Sequence, residues 1–434
     1  MTPNSNSDAE SGARLSDALA RLNTLVDWER RDRDAQMRVT IEPVRDLLTR
    51  MGAPHERWRA VHVAGTKGKG TTAALVAEGL ARMGAKVGLY TSPHVTRIHE
   101  RIRIDGCDVG DRELACGLEG ALAAREAAGA AGTAGGGATW FDVMTAAAFA
   151  TFAEAGVEWA VVECGLGGRL DSTNVVRGEV CLVTNVDLEH TAVLGTTRAA
   201  IAREKGGILK AGSALVTSLA PDDEAGRVLH DLAARLGCKI LRPSRSAPTM
   251  LARNADLARL CLDELCARGV RGSRGAASGR LLDAHAIEAA RLPGRLERFD
   301  VDGVPVVVDA AHVASSVEMV LDELAHDADL RGLPTVVIAL GREKDARSIL
   351  KKLVGRTDRL LCTTVAVGPL RAAEELAAEA SRTGLTAEAV AEPAEAFARA
   401  LAGARGRWVL ILGSFYLAGA IRLQIATGPQ RNRC

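Results

Sequence analysis

Aromatic side chains are scarce in this sequence: Phe, Trp and Tyr make up only 3% of its 434 residues. Proteins that bind single-stranded nucleic acid stack bases on aromatic rings, so this scarcity argues against that class. The sequence also has almost no net charge: 55 basic side chains face 54 acidic ones, which gives a formal net charge of +1. Balanced charge provides no electrostatic attraction to nucleic acid or to an anionic membrane. We therefore expect small-molecule ligands and neither of those partners.

Long apolar runs and closely paired cysteines are absent as well. No run approaches the roughly 20 apolar residues that span a bilayer, and residues 1–12 are polar and lack the apolar core of a signal peptide. The nine cysteines are odd in number and contain no Cys-x-x-Cys spacing, which favours reduced thiols over a zinc site. We expect a cytoplasmic, monomeric protein.

Apolar, β-branched runs alternate with amphipathic stretches along the chain. The first half predicts strands at 60–64, 86–90, 158–163, 180–184 and 213–217. Helices are expected between them at 71–83, 140–155, 196–205 and 221–236. This alternation is typical of an α/β protein with a doubly wound, mostly parallel sheet. Segment 129–138 has no side chains for a core and is expected to be a flexible loop.

A second, smaller α/β domain is expected after the breaker pair Pro293-Gly294. There the alternation restarts with strands at 304–308, 335–340, 359–362 and 408–412, and with helices at 313–325, 371–382 and 393–402. A chain of this length is too long for one ordinary core. We place the two domains at 1–292 and 293–434.

Residues 61–72 (VHVAGTKGKGTT) predict a buried strand, a glycine-rich turn and the start of a helix. Three glycines let the backbone bring its N–H groups close to an anion: Gly65, Gly68 and Gly70. Lys69 adds a positive charge, and Thr71 or Thr72 offers a hydroxyl for Mg²⁺. The spacing departs from the common phosphate loop, because two residues rather than four separate the first glycine, Gly65, from Gly68-Lys69. A plain strand-to-helix turn is the alternative.

Two other predicted strands run into polar side chains at their carboxyl ends. Strand 158–163 is apolar until Glu163, and strand 180–184 is soon followed by Glu189 and His190. Ligands of doubly wound sheets gather at this edge, where carboxylates are placed to bind a metal. The alternatives are a solvated strand end for Glu163 and a structural histidine at position 190.

Three more residues admit both a functional and an ordinary interpretation. Ser92 is either a turn residue or a hydroxyl ligand for a metal. Lys205 at a helix end would normally be an exposed cation stabilised by the helix dipole. Asp309 follows an apolar strand and is either a helix N-cap or a functional carboxylate.

In order along the chain, the motifs resemble those of the folylpolyglutamate synthases and dihydrofolate synthases, a family of the Mur ligase superfamily. The resemblance covers nearly the whole chain and rests on HVAGTKGKGT (62–71), YTSPH (90–94), ERI (100–102), ECGLGGRLDSTN (163–174), EHT (189–191), EKGGI (204–208), PGR (293–295), DAAH (309–312) and GSFYL (413–417). The run GLGGRLDSTN and the tetrapeptide TSPH are its most specific parts.

The resemblance implies an ATP-dependent amide ligase. Such an enzyme adds L-glutamate to the carboxylate of a folate or of dihydropteroate through an acyl phosphate, using Mg²⁺ at two sites and in some cases a monovalent cation. It implies a phosphate-loop domain and a smaller, Rossmann-like domain. Two other functions stay open: another Mur-type ligase, and a non-catalytic ATP-binding regulator.

The resemblance also implies roles for particular residues. ATP would be bound by Gly65, Thr66, Lys67, Gly68, Lys69, Gly70, Thr71, Asn254, Arg295, Asp309 and His312. Metal ligands would be Thr71, Ser92, Glu163, His190 and, when carbamylated, Lys205. Catalytic roles would fall to Lys69, Glu163, His190 and Lys205. Asp171 would lie near the pterin or the phosphate loop, as a substrate-binding residue.

The sequence departs from the family pattern at three places. Lys67 stands where Asn is usual in the phosphate loop, and Glu189 replaces the usual Asp before His190. Val313-Ala314 replaces the usual Asn-Pro, which removes a polar side chain next to Asp309-Ala310-Ala311-His312.

Overall fold

The structure is a computed structural model that describes residues 5–28, 40–404 and 406–427. The chain divides into two compact units. The first takes up the chain to Pro93, His99–Pro248 and Ala252–Ala290. The second takes up His94–Ile98, Thr249–Leu251 and the chain from Arg291 onward.

The first unit is built on an eight-stranded sheet with the order β4-β3-β2-β5-β1-β6-β7-β8. Its strands are β1 (Arg59–Ala64), β2 (Val87–Tyr90), β3 (Ile102–Ile104), β4 (Cys107–Asp108), β5 (Trp159–Glu163), β6 (Gly178–Val183), β7 (Ala214–Thr217) and β8 (Lys239–Leu241). Six neighbouring strands of this sheet pair in parallel, namely β2, β5, β1, β6, β7 and β8. Strands β3 and β4 pair antiparallel at one edge. A two-stranded ribbon, β9 (Arg271–Gly272) and β10 (Gly275–Ala276), lies outside this sheet.

The α-helices of the same part of the chain are α1 (Ser5–Leu22), α2 (Glu42–Arg50), α3 (Lys69–Arg82), α4 (Asp111–Ala130), α5 (Trp140–Glu154), α6 (Thr191–Leu194), α7 (Arg198–Gly206), α8 (Glu224–Arg235), α9 (Met250–Ala267) and α10 (Ala284–Ala289). Short 3₁₀ helices lie at Pro54–Glu56, Ile98–Arg101, Ala134–Gly137, Ser172–Val175 and Gly279–Leu281.

The central strands β1, β5 and β6 are buried almost throughout, as a parallel sheet covered by helices on both faces requires. Helix starts are fixed by side chains that accept from free backbone N–H groups. Thr139 and Asp142 form a reciprocal capping box at the start of α5. Asp223 accepts from the N–H groups of Ala225 and Gly226 at the start of α8.

The second unit has a six-stranded sheet with the order β11-β12-β16-β13-β14-β15. Its strands are β11 (Glu297–Val301), β12 (Val304–Val308), β13 (Thr335–Ile338), β14 (Arg359–Cys362), β15 (Ala387–Ala389) and β16 (Val409–Leu412). Its helices are α11 (Ala314–Ala325), α12 (Ala346–Leu353), α13 (Ala373–Arg382), α14 (Pro393–Gly403) and α15 (Phe415–Thr427). Only β11 runs antiparallel to its neighbour. Separate apolar clusters cover the two faces of this sheet.

The α/β fold class with mostly parallel sheets is therefore confirmed. The expectation of a flexible loop at 129–138 is wrong: α4 continues to Ala130, and Ala134–Gly137 form a 3₁₀ helix. Asp46 accepts a hydrogen bond from the N–H of Gly135 at 2.8 Å, so this stretch is held by a side chain from another helix. Gly135 is buried, and a Cβ there would come within 2.8 Å of Ala128. Glycine supplies close packing here rather than freedom.

In the described part of the chain, no helix has the combination of length and apolar composition that crossing a bilayer requires.

Candidate functional site

The glycine-rich turn joins the carboxyl end of β1 to α3. Gly65 has φ 151°, and a Cβ at this position would lie 1.9 Å from the hydroxyl oxygen of Thr184. Gly68 precedes the helix with φ 76°, in the left-handed region that glycine adopts at little cost. The backbone N–H groups of the first turn of α3 lie next to this bend, which is the arrangement that attracts phosphate.

The loop is tied to the segment that follows β6. The N–H of Thr66 donates to the carbonyl of Asn185 at 3.0 Å, and the N–H of Lys67 donates to the Asn185 side chain at 2.8 Å. The carbonyl of Lys67 accepts from the Thr184 hydroxyl and the Asn185 amide. Sequence reasoning assigned no role to Thr184 or Asn185. The available signal was a pair of polar residues directly after an apolar strand.

Asn254 on α9 lies against the phosphate loop, although 186 residues separate it from Gly68 in the numbering. A Cβ on Gly68 would come within 2.6 Å of its side-chain oxygen and 2.7 Å of its nitrogen. The side chain is buried, and among the described residues its amide nitrogen has no hydrogen-bond partner. A buried donor without a partner is costly unless a ligand satisfies it. This geometry fits the nucleotide contact that the resemblance implies.

Glu163 ends β5 and is only 5% exposed. One carboxylate oxygen accepts from the backbone N–H of Ser92 at 3.1 Å, which brings the carboxyl ends of β2 and β5 together. The alternative of a solvated strand end at Glu163 is therefore wrong.

His190 lies at the surface, directly before the one-turn helix α6, with φ 52°. Glu189 beside it forms an ion pair with Lys67, whose ammonium nitrogen is 2.6 Å from a carboxylate oxygen. Burial alone would raise the pKa of Glu189, but the charge and hydrogen bond of Lys67 outweigh it and hold that pKa below its ordinary value. The segment that follows β6 is thus linked to the phosphate loop by this ion pair as well.

Lys205 is buried in the last turn of α7, not exposed as an ordinary helix-end lysine would be. Its ammonium donates to the carbonyl of Gly65 at 2.7 Å. Burial, reinforced by the nearby charge of Lys69, lowers the pKa of Lys205 to about 7. A substantial fraction of its amine is therefore neutral and nucleophilic near neutral pH.

A chain of buried polar groups lies beneath the strand ends. The ring Nε2 of His62 on β1 is 2.9 Å from the Thr173 hydroxyl and 3.1 Å from the Cys164 sulfur. Asp171 accepts from the N–H groups of Leu166 and Thr173. Burial raises the pKa of Asp171. This residue belongs to the motif at 163–174. These contacts favour a role for Asp171 in shaping the motif; its direct contact with substrate stays a prediction.

Oxygen donors suit Mg²⁺, and the candidate ligands offer them in the Glu163 carboxylate, the Thr71 hydroxyl in the first turn of α3, and Ser92. Within the described ranges no three His, Cys, Asp or Glu side chains gather into a ready-made metal-binding group. Magnesium commonly keeps several waters and takes further oxygens from substrate phosphates, so a sparse protein ligand set fits this ion better than a closed cage would.

In the second unit, Arg295 and His312 lie close to Phe415 at the start of α15. The Arg295 guanidinium carbon is 4.8 Å from the centre of the Phe415 ring, and the His312 ring centre is 5.6 Å from it. Asp309 accepts from the N–H groups of Leu296 and Ala311, and burial raises its pKa despite the charge of Arg295. The N-cap of α11 is Val313, so the alternative of Asp309 as its N-cap is wrong.

Comparison with known proteins agrees with these motifs. A family model described as "Mur ligase, glutamate ligase domain" matches residues 294–415. A dihydrofolate synthase/folylpolyglutamate synthase of Mycobacterium tuberculosis is 30% identical over 448 residues, covering 88% of this chain and 89% of that protein. A probable bifunctional folylpolyglutamate synthase/dihydropteroate synthase of Haloferax volcanii is 35% identical; the match covers 70% of this chain and 39% of that protein, so the chain spans well under half of this relative.

Solved structures match over nearly the full chain. The crystal structure of a folylpolyglutamate synthase from Thermotoga maritima has a TM-score of 0.78 and 26% identity, covering 96% of this chain and 98% of that one. A bifunctional folylpolyglutamate synthase/dihydrofolate synthase with Mn, AMPPNP and L-glutamate bound has a TM-score of 0.75 and 25% identity, covering 95% and 98%. The order of the motifs, the architecture of the two units and a relative that is 30% identical over 88% of this chain support one assignment: the chain belongs to the folylpolyglutamate synthase/dihydrofolate synthase family of Mur-type ligases.

Proposed function

We propose that this chain is an ATP-dependent ligase that joins the amino group of L-glutamate to the carboxylate of a folate, and also to that of dihydropteroate. The observation that carries the proposal is the cluster at the carboxyl edge of the first sheet. There the phosphate loop, the Glu163 carboxylate, the buried amine of Lys205 and the Asn254 amide, which has no partner among the described residues, belong to neighbouring strand ends and helices.

The reaction makes two bonds in sequence. An oxygen of the acceptor carboxylate attacks the γ-phosphorus of ATP, ADP leaves, and an acyl phosphate forms. The amine of glutamate then attacks the carbonyl carbon, and phosphate leaves with one oxygen of the original carboxylate. The amine loses a proton, so the products are the amide, ADP and phosphate.

This chain's residues serve the first step by holding the triphosphate. The N–H groups at the start of α3 face the phosphates, and Lys69 supplies positive charge where negative charge develops on the transferring oxygens. Because Gly65 and Gly68 have no side chains, the backbone of the loop can pass close to Thr184 and Asn254. Asn254 would donate its amide to the nucleotide.

Mg²⁺, when bound, would neutralise the phosphate oxygens from a site formed by Thr71, Ser92, Glu163 and His190. Lys205 would join this set after its neutral amine adds to CO₂ and loses a proton, which converts a cation into an anionic oxygen ligand. Roles in nucleotide binding for Arg295, Asp309 and His312 stay predictions that the resemblance implies.

The proposal is tested by phosphate release from ATP with Mg²⁺ and L-glutamate, using dihydropteroate, tetrahydrofolate or no acceptor, with the product mass measured in parallel. We expect release only with an acceptor, and a product heavier by one glutamyl residue. Release without an acceptor, or none with either acceptor despite ATP binding, would contradict the proposal and favour a different Mur-type substrate or a non-catalytic regulator.

Two variants test the cluster itself. Lys69→Ala removes a positive charge that stabilises the transferring phosphoryl oxygens, and Glu163→Gln removes a carboxylate ligand of Mg²⁺, so each should lower kcat by roughly 100-fold or more. Two exposed residues provide the matched controls Lys86→Ala and Glu154→Gln: Lys86 directly precedes β2, and Glu154 is the last residue of α5. A Lys69 or Glu163 variant with a near-normal rate would remove that residue from the catalytic assignment.

A further inference from the structure

Two of the three departures from the family pattern contact each other. Lys67 replaces Asn in the phosphate loop and Glu189 replaces Asp before His190, and their charged groups are 2.6 Å apart. The side chains are 20% and 30% exposed, respectively, so the pair is partly shielded from solvent. The usual Asn and Asp are both short and only the Asp is charged, whereas the side chains at positions 67 and 189 of this chain are both longer and both charged.

The backbone of Lys67 gives its side chain a fixed origin. The N–H and carbonyl of this residue are both held by the Asn185 side chain, and the carbonyl also accepts from Thr184. Thr66 reaches one step further along the same segment, where its hydroxyl accepts from the N–H of Asp187 at 3.0 Å. The ion pair continues this series of contacts to Glu189, the residue directly before His190.

The position of His190 depends on this segment. Its φ of 52° is in the left-handed region, which is uncommon for a residue with a Cβ and needs support from its surroundings. The Lys67–Glu189 contact anchors the residue immediately before this strained position.

We propose that Lys67 and Glu189 act as a positioning pair that holds the His190 segment against the phosphate loop, and that Lys67 is therefore not itself a phosphate ligand. This inference rests on the proposed function, because it assigns the pair to the ATP and metal site of that ligase. It replaces the direct ATP contact that the resemblance implies for Lys67.

The test compares the wild type with three variants: Lys67→Asn, Glu189→Asp and the double variant Lys67→Asn/Glu189→Asp. Two binding constants are measured without an acceptor substrate: the affinity for AMPPNP by calorimetry, and the affinity of that complex for Mn²⁺ from the free-ion signal in electron paramagnetic resonance. Neither readout needs turnover, so failure of the pair and failure of the ligase proposal are distinguishable. Thermal midpoints show that each variant is folded at the working temperature.

We expect Lys67→Asn alone to weaken both affinities by about 10-fold, because the asparagine side chain is too short to reach Glu189 and the segment that carries His190 loses its contact with the phosphate loop. The double variant should return to within about 3-fold of the wild type, since it restores the two residue types that are usual together at these positions in the family. Lys239 forms an equally short ion pair with Glu264 in the same unit, so Lys239→Asn is the matched control and should change neither affinity.

A double variant as weak as Lys67→Asn would overturn the inference, because it would show that the Lys67 ammonium contacts the phosphates directly. Full affinity in Lys67→Asn alone would also overturn it. If Lys67→Asn does not fold, Glu189→Asp and the double variant decide: the pair predicts that the double variant binds more tightly than Glu189→Asp, and a direct phosphate contact predicts the reverse.

Discussion

Burial changes the chemistry of individual side chains at the carboxyl edge of the first sheet. A sequence shows that Lys205 follows an acidic residue near a helix end, but it does not show that only 5% of the lysine is exposed or that the carbonyl of Gly65 accepts a hydrogen bond from its ammonium. Those facts arise from contacts across 140 residues of chain. Asn254 is a similar case. The resemblance implies a nucleotide contact for this residue, but only the structure shows that its amide lies against Gly68.

Lys205 should form a carbamate. Its pKa of about 7 means that the neutral amine becomes predominant as the pH rises above 7, and only the neutral amine adds to CO₂. With ¹³C-bicarbonate and Mg²⁺, the carbon NMR spectrum should show a carbamate signal that grows between pH 6.5 and roughly 8.5. Lys205→Arg is the control, since arginine remains protonated. A signal that persists in this variant, or none in the wild type, would exclude a carbamate at Lys205.

His62 should make stability depend on pH. Burial, with the charge of Lys210 adding to it, lowers the pKa of His62 to about 3 in the folded protein. In the unfolded chain a histidine takes up a proton below about 6.5. The unfolded state therefore binds more protons between these values, and the free energy of unfolding falls on acidification, by at most roughly 1.4 kcal/mol per pH unit.

Denaturant unfolding at pH 7 and pH 5 measures this contribution. The decrease should be smaller in His62→Asn than in the wild type. The exposed His326 provides the control, and His326→Asn should keep the wild-type dependence. An equal decrease in His62→Asn and the wild type would show that His62 does not stay neutral when the protein is folded.

At the scale of helices and strands, continuous apolar runs were predictable and short edge strands were not. Strand 60–64 appears as β1 and strand 180–184 as β6, because central parallel strands are apolar on both faces. No comparable signal marks β4, whose two residues are exposed, or β15, which is half-buried. The expectation for segment 129–138 is wrong because the carboxylate that holds this segment, Asp46, belongs to a helix distant in sequence.

The third departure from the family pattern concerns the start of α11. Val313 occupies the N-cap with extended backbone and no side-chain cap, and Ala314 is the first helical residue. Asn is a favoured N-cap and Pro is favoured at the first helical position, so the usual Asn-Pro is a helix start. Val313→Asn should therefore raise the free energy of unfolding by about 1 kcal/mol.

Denaturant unfolding of Val313→Asn measures that gain, with Val313→Ala as the control that adds no side-chain acceptor. An unchanged or lower stability of Val313→Asn relative to Val313→Ala would show that the N-cap is not the reason for Asn in the family pattern.

On the scale of the whole molecule, the family motifs extend through both units. The first unit carries the phosphate loop, the 163–174 motif and Lys205, and the second contains the region that matches the Mur ligase glutamate ligase domain. The motif order predicted the family from sequence, and a match over 96% of the chain to a solved folylpolyglutamate synthase confirms it. Residues that the family pattern assigns to the reaction therefore occur in both units.

An oxygen-transfer experiment tests the central claim most directly. The acceptor is labelled with ¹⁸O in its carboxylate and incubated with ATP, Mg²⁺ and L-glutamate, and the released phosphate is analysed by mass spectrometry. A ligase that forms an acyl phosphate moves one carboxylate oxygen into phosphate at each turnover, so we expect one ¹⁸O per phosphate and an equal amount of glutamylated product. Phosphate without the label would mean that water attacks ATP, and it would contradict the proposed mechanism.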